Sequence, residues 1–401
     1  MRIGRIAGAV LGALLPVAAA AQVSGDVVKI GVLTDMVGVT ADITGRGSLA
    51  AAQMAVRDAG GSVLGKPVQV ISADHQHRAD IGQSIARRWF DVEGVDAIFD
   101  VPNSGVALAV QSLAREKQRI VVYSGAGTTA LTNEQCSPYG FHWTFDTFAL
   151  SRGTAAAVVA AGGDSWFIIA ADYAFGHQLQ ADTTDVVTAA GGRIAGAIRH
   201  PLNAPDFSSY LLRAQSSRAK IVALANAGGD TTNAMKQAGE FGLARGGQNL
   251  AAMLFFLQDV HALGLPVAQG TYLTTASYWD LNDATRAWSR EFLAQTGMMP
   301  SMIHAGVYGS VRHYLKAVAR AGTDDADKVA AAMREIPIED IFSQNARIRP
   351  DGRVTRTMYL ARVKTPAESK GPWDYFEIVR TIPPEETVWP LSASKCPLVA
   401  R

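Results

Sequence analysis

Residues 166–171, Trp-Phe-Ile-Ile-Ala-Ala, form an apolar run with no polar alternation, after which the chain turns through Asp172 and Tyr173 into a helix-like stretch. Such a run suits a strand covered on both faces, and a parallel sheet with helices on either side provides that cover. Ligands of open parallel sheets lie beyond the carboxyl ends of the strands. Asp172 and Tyr173 fall at that end, where they offer a carboxylate and an amphipathic ring to a cleft. The alternative is that Tyr173 caps the sheet and Asp172 is the N-cap of the next helix.

The same alternation runs through most of the chain. Strands are expected over 27–34, 68–72, 97–101 and 120–123, with helices over 47–59, 81–92 and 105–117 between them. A second series has strands over 166–170, 193–199, 221–225 and 250–256, with helices over 148–161, 174–190, 207–217 and 230–241. Single helices between strands imply right-handed crossovers and parallel sheets. After a strand at 271–275 come helices over 283–297, 302–321 and 326–335, then strands at 358–364 and 375–382. About 380 residues follow the leader described below, more than the ~250–300 that one core usually holds, so two lobes are expected.

The chain opens with Arg2 and Arg5, an apolar segment over 6–21, and Ala19-Ala20-Ala21 before Gln22. This is the pattern of a secretory signal peptide spanning residues 1–21, too short for a membrane span. No cysteine follows the cut, so no lipid anchor is expected there. Without Arg2 and Arg5 the chain carries 35 basic and 36 acidic residues, a balance that does not attract nucleic acid. Cys136 and Cys396 would enter an oxidising compartment, and a disulfide between them would tie the Pro-containing tail to the first lobe.

Several short motifs carry chemistry elsewhere and were weighed. Gly45-x-Gly47-x-x-Ala50 has dinucleotide-like spacing, but ten residues separate it from its strand, where the fingerprint needs direct contact. Asp74-His75-Gln76-His77 has the donor density of a metal site but lacks a third ligand nearby, so it reads as a solvated or rim-lining loop. No nucleophile elbow, Walker loop or zinc-protease helix occurs, and no metal, cofactor or catalytic residue is expected. Ser124-Gly125-Ala126-Gly127-Thr128-Thr129 and Asn103-Ser104-Gly105 suit capture of an anion by backbone N–H groups and hydroxyls. Ordinary helix capping remains the alternative for both.

The chain resembles the leucine/isoleucine/valine-binding family of periplasmic solute-binding proteins. The matching segments are Asn103-Ser104-Gly105-Val106-Ala107-Leu108-Ala109, Ala171-Asp172-Tyr173-Ala174-Phe175-Gly176-His177, Asn226-Ala227-Gly228-Gly229-Asp230, Lys236-Gln237-Ala238-x-Glu240-Phe241-Gly242, Tyr278-Trp279-Asp280, Ala305-Gly306-Val307-Tyr308 and Cys396-Pro397-Leu398-Val399. The resemblance implies a type I periplasmic binding fold, α/β in class, with two doubly wound parallel-sheet lobes on a multi-strand hinge. The lobes would be 25–143 with 276–348, and 144–275 with 349–385, followed by the tail 386–401. It also implies a monomer in the periplasm that closes on a small ligand and delivers it to an inner-membrane ABC permease. An exported hydrolase is the rival, and it would need a nucleophile beside a base. An extracellular sensor domain would need a membrane segment after the second lobe. Neither feature is found.

In such proteins a hydroxyl and backbone groups of the first lobe hold the ligand's charged end, and the matching positions are Ser104, Ala126 and Thr128. The second lobe would add Tyr173, the loop at Asn226, and an acid from the Gln258-Asp259 pair. Thr40 and Gly228 stand where branched-chain amino-acid binders often carry rings, which implies a larger cleft. Two ligand classes stay open: an amino acid, whose ammonium group would meet Asp259, and an aromatic or aliphatic carboxylate, which needs only the Ser104 and Thr128 end.

Overall fold

The computed structural model describes residues 23–399, the side chains of Gln344 and Asn345 excepted; the leader expected over 1–21 lies outside that range. Five parallel strands form the first sheet, in the order Lys66–Asp74, Val28–Thr34, Ala97–Asp100, Ile120–Tyr123 and Gly140–His142, with Ser62–Val63 antiparallel at one edge. The chain first steps from Val28–Thr34 to one side and then back past it to the other. That reversal opens a crevice beyond the carboxyl ends of Val28–Thr34 and Ala97–Asp100.

The second sheet repeats the device with Asn249–Ala252, Ile221–Ala225, Ser165–Ala171 and Arg193–His200, all parallel. Every residue of Ser165–Ala171 is buried, as the unbroken apolar run requires. Its reversal falls between Ser165–Ala171 and Ile221–Ala225, so the turns at Tyr173 and Asn226 face the same crevice from the other lobe. Two antiparallel sheets follow: Tyr272–Thr275, Met358–Val363 and Phe376–Ile382, and then Ile338–Asp340, Ser343–Ile348 and Val354–Thr355.

The helix Met302–Ala321 lies on Gly45–Asp58 of the first lobe. Close approach explains the glycines of the dinucleotide-like motif: a Cβ on Gly47 would meet the His304 ring at 2.4 Å. That ring is held by Ser301 N–H donating to Nδ1 at 3.1 Å and by Nε2 donating to Thr44 O at 3.0 Å. Cys136 and Cys396 are joined in a disulfide across 260 residues, which fixes the tail against the loop after Ile120–Tyr123.

Two expectations need correction, and several short strands were not expected. The strand expected over 250–256 ends at Ala252, because its partner Ile221–Ala225 offers no ladder beyond it, and residues 253–256 turn toward the crevice. The helix expected over 148–161 holds a wider turn at Ser151–Ala155. Gly140–His142, Ile338–Asp340 and Val354–Thr355 carry too few residues for a readable period, and Ser343–Ile348, which pairs with the last two, was not expected either.

Candidate ligand-binding cleft

On the first lobe, Ala97–Asp100 ends in two consecutive left-handed residues, Asp100 at φ 82° and Val101 at φ 50°. This sharp exit directs the chain through Pro102 to Asn103, whose Oδ1 accepts Val106 N–H at 3.1 Å and caps the helix Ser104–Lys117. Ser104 Oγ accepts the N–H groups of Gly127 at 3.4 Å and Thr128 at 3.2 Å, so the two loops singled out in the sequence meet. Thr128 Oγ1 accepts Ala130 N–H at 3.3 Å, and Ala126 O accepts from His142 Nε2 at 2.7 Å. Asp100 lies beneath this floor, and burial pushes its carboxyl up to about 7.

On the second lobe, Tyr173 precedes the helix Ala174–Ala189, with its ring 6.0 Å from that of Phe175. Burial raises its phenol above the usual value, with the nearby Asp230 charge acting in the same direction. Asp172 takes neither role expected of it, since its carboxylate turns outward to His177 Nε2 at 2.7 Å and both side chains are exposed. The Asn226 side chain is committed within the lobe: Nδ2 meets His200 Nε2 at 3.1 Å, and Oδ1 accepts from Thr231 Oγ1 at 2.7 Å.

Asp259 also departs from expectation. Its Oδ2 accepts Phe256 N–H at 2.9 Å, closing the first turn of the helix Leu257–Leu263. The side chain is buried, and desolvation, reinforced by Asp42, pushes the carboxyl up to about 8. Burial thus favours its neutral form, and the side chain is part of a helix cap.

A narrow space between the lobes is lined on one side by Thr40, Ile43, Thr44, Pro102, Gly125 and Ile303, and on the other by Tyr173, Phe175, Ala227, Leu254 and Phe256. No carboxylate or basic side chain is on this wall. Of the six positions expected to touch a ligand, Tyr173 lines it. Ser104, Ala126 and Thr128 are not on that wall, and the Phe175 ring rests against Gly127, where a Cβ would meet it at 2.7 Å. Phe175, Phe256, Leu254 and Ile43 were not singled out from sequence; Phe175 was in view two residues beyond Tyr173.

The enlarged cleft expected at Thr40 and Gly228 is not present. Val39 O accepts Gly229 N–H across the lobes at 2.9 Å, and a Cβ on Gly228 would lie 2.2 Å from the same oxygen. Backbone of the first loop fills the place of a ring, and the Thr40 hydroxyl is turned to Asp35 at 2.7 Å. The Asp74-His75-Gln76-His77 loop also differs from expectation, because His75 is buried and His77 nearly so. Among the described residues no group of three His, Cys, Asp or Glu is placed to hold a metal.

A family model described as periplasmic binding protein matches residues 27–372. The chain belongs to that family. Curated relatives place it with leucine/isoleucine/valine-binding proteins: "Leu/Ile/Val-binding protein homolog 6" of Brucella melitensis is 28% identical over 359 residues, covering 86% of this chain and 90% of that one. A periplasmic binding protein from Burkholderia mallei is 50% identical with a TM-score of 0.91, covering 93% of this chain and 99% of its own. A branched-chain amino acid ABC transporter periplasmic ligand-binding protein from Burkholderia xenovorans LB400 is 42% identical, with a TM-score of 0.83 and coverage of 93% and 100%. The two lobes and their hinge are thus a type I periplasmic binding fold, and the relatives are solute-binding proteins. Among the described residues no helix is long and apolar enough to cross a membrane.

Proposed function

We propose that this periplasmic binding protein captures a small carboxylate with an apolar body and no ammonium group, and hands it to an inner-membrane ABC permease. One observation carries the choice of ligand: the cleft wall is mostly aliphatic and aromatic, its polar members are Thr40, Thr44 and Tyr173, and it includes no acid. An ammonium group moved into such a space without a partner bears a large desolvation cost. Asp259, the acid that could have met it, is buried off this wall and engaged in a helix cap, and burial favours its uncharged form. Tyr173, Phe175 and Phe256 provide faces for a flat ring, while Leu254, Ile43 and Ile303 suit an aliphatic one.

The carboxylate end goes to the Ser104 hydroxyl at the start of Ser104–Lys117, where a helix N-terminus favours negative charge, and to the N–H groups of Gly127 and Thr128 in the loop that meets it. Those N–H groups bond to Ser104 Oγ at 3.2–3.4 Å, a long and exchangeable arrangement. Phe175 covers them, so the ligand enters with the lobes apart and is enclosed as they close. No bond-making chemistry is assigned to the cleft, and the protein works as a monomer in the periplasm.

Benzoate is the simplest probe. A hydrogen bond to a charged group contributes about 1.5–3 kcal/mol, so Ser104→Ala should weaken benzoate binding roughly ten- to a hundredfold by calorimetry, and it should also lower the melting temperature of the free protein, because the Gly127 and Thr128 N–H groups lose their acceptor. Equal affinity in parent and variant would move the carboxylate to another part of the cleft.

A further inference from the structure

Asp35, His77 and Asn103 come from three separate loops at the carboxyl edge of the first sheet and form one chain of hydrogen bonds. His77 Nε2 lies 2.6 Å from Asp35 Oδ2, and His77 Nδ1 lies 3.1 Å from Asn103 Nδ2. The direction of each bond follows from its neighbour. Asn103 Oδ1 is occupied by Val106 N–H, so the Asn103 amide nitrogen is the group that donates to His77. An imidazole that accepts at Nδ1 carries its proton on Nε2 and donates it to Asp35. Asp35 is fully buried and ionised: burial acts to raise its carboxyl, but the hydrogen bonds from His77 and Thr40 outweigh this and hold it below the usual carboxylate range.

The backbone is strained to put the ring there. Gln76 and His77 are consecutive left-handed residues, at φ 53° and 54°, and His77 N–H donates to His75 Nδ1 at 3.0 Å. Non-glycine residues adopt that conformation at a cost, and they persist in it where the surroundings over-determine them.

Each end of the chain reaches a different part of the cleft. At one end, Asn103 caps the helix whose first residue, Ser104, gathers the N–H groups of Gly127 and Thr128. At the other, Asp35 accepts Gly38 N–H at 2.7 Å, Thr40 N–H at 2.9 Å and the Thr40 hydroxyl at 2.7 Å. These bonds bend the first loop so that Val39 O points out of it toward Gly229 N–H of the second lobe, 2.9 Å away.

We propose that His77 is a positioning residue that couples the interlobe contact at Val39 to the anchor for the ligand's charged end, acting through Asp35 on one side and Asn103 on the other. The assignment rests on the reading that the ligand is held at Ser104 and Thr128 between the lobes. His77 is absent from the cleft wall and acts by holding two loops in register. A small shift of the imidazole moves both the Val39 carbonyl and the helix cap, so closing the lobes and setting the anion loop become one event.

Residue-resolved hydrogen exchange by NMR on the ligand-free full chain tests this, with His77→Leu compared against His77→Gln. Both variants meet the same backbone cost at φ 54°. Gln retains one donor and one acceptor, and Leu retains neither. His77→Leu should speed exchange about tenfold at Gly38 and Thr40 in the loop that presents Val39, and at Gly127 and Thr128, with His77→Gln close to the parent and Ile168 in the buried strand unchanged in all. Asp35→Asn, which keeps the size and removes the charge, should expose Gly38 and Thr40 in the same way and serves if His77→Leu fails to fold. Faster exchange confined to Val106, Gly127 and Thr128, with Gly38 and Thr40 as protected as in the parent, would overturn the coupling, as would equal losses in His77→Gln and His77→Leu. Because no ligand is present, failure of the parent to bind benzoate would count against the proposed function alone.

Discussion

Gly228→Ala isolates lobe closure from the fold of either lobe. Gly228 sits at φ 57° and ψ −129°, and an added Cβ would fall 2.2 Å from Val39 O, where contacts under 3.0 Å are essentially never seen. The lobes must therefore part by about 1 Å to accept the methyl group, which breaks the bond from Gly229 N–H to Val39 O. The backbone cost of alanine in such a conformation, about 1–3 kcal/mol, is the same with the lobes open or closed. The closed state alone loses the hydrogen bond, about 0.5–1.5 kcal/mol, together with the packing around it. Binding that requires closure should weaken about tenfold for each 1.4 kcal/mol so lost. Gly191→Ala is the control, since Gly191 has φ 85° and nothing within 4 Å of the added Cβ. Calorimetry with benzoate should show the loss in Gly228→Ala and not in Gly191→Ala. Small-angle scattering should show the smaller contraction on adding benzoate in Gly228→Ala. Equal affinity and equal contraction in the two variants would refute the view that Val39 and Gly229 meet as part of closure.

Further outcomes follow from buried charges and the cross-link. Asp259 has its folded pKa raised from 3.8 to about 8, so its contribution is fully present below about pH 4 and is lost as pH rises through 8, with a slope of at most ~1.4 kcal/mol per unit. Urea unfolding at several pH values should show Asp259→Asn flattening that decline, with benzoate affinity unchanged; a decline as steep as the parent's would contradict the assignment. Asp146 and Arg353 form an ion pair at 2.6 Å with side chains 2% and 3% exposed, so Asp146→Ala, which also removes the cap on Ala149 N–H, should cost about 3–5 kcal/mol in unfolding free energy. Replacing both Cys136 and Cys396 by Ser should lower stability by up to roughly 5–6 kcal/mol in the chain-entropy model, measured by the same unfolding curves.

The lobes were legible because their signal is local. An apolar run such as 166–171 can be covered on both faces only in a parallel sheet, and the helix periods between strands set the crossovers. The meeting of Ser104 with the 124–129 loop was legible as chemistry, since small residues at a helix start suit an anion, though its partners were not. The first-loop network was not legible. Asp35 and His77 are 42 residues apart, and Asn103 is 26 beyond His77, so no spacing announces them. Gly228 was read through the missing side chain, whereas the space is taken by the Val39 backbone. Asp259 was read through its charge, which burial disfavours, and its side chain is taken up by the Phe256 N–H three residues back.

Calorimetry with 4-methylpentanoate and L-leucine tests the central claim most directly, because the two differ by a single ammonium group. A cleft with no ionised acid on its wall should bind 4-methylpentanoate more tightly than L-leucine by at least about tenfold. Tighter binding of L-leucine, lost in Asp259→Asn, would contradict the account and restore Asp259 as the partner of an amino acid.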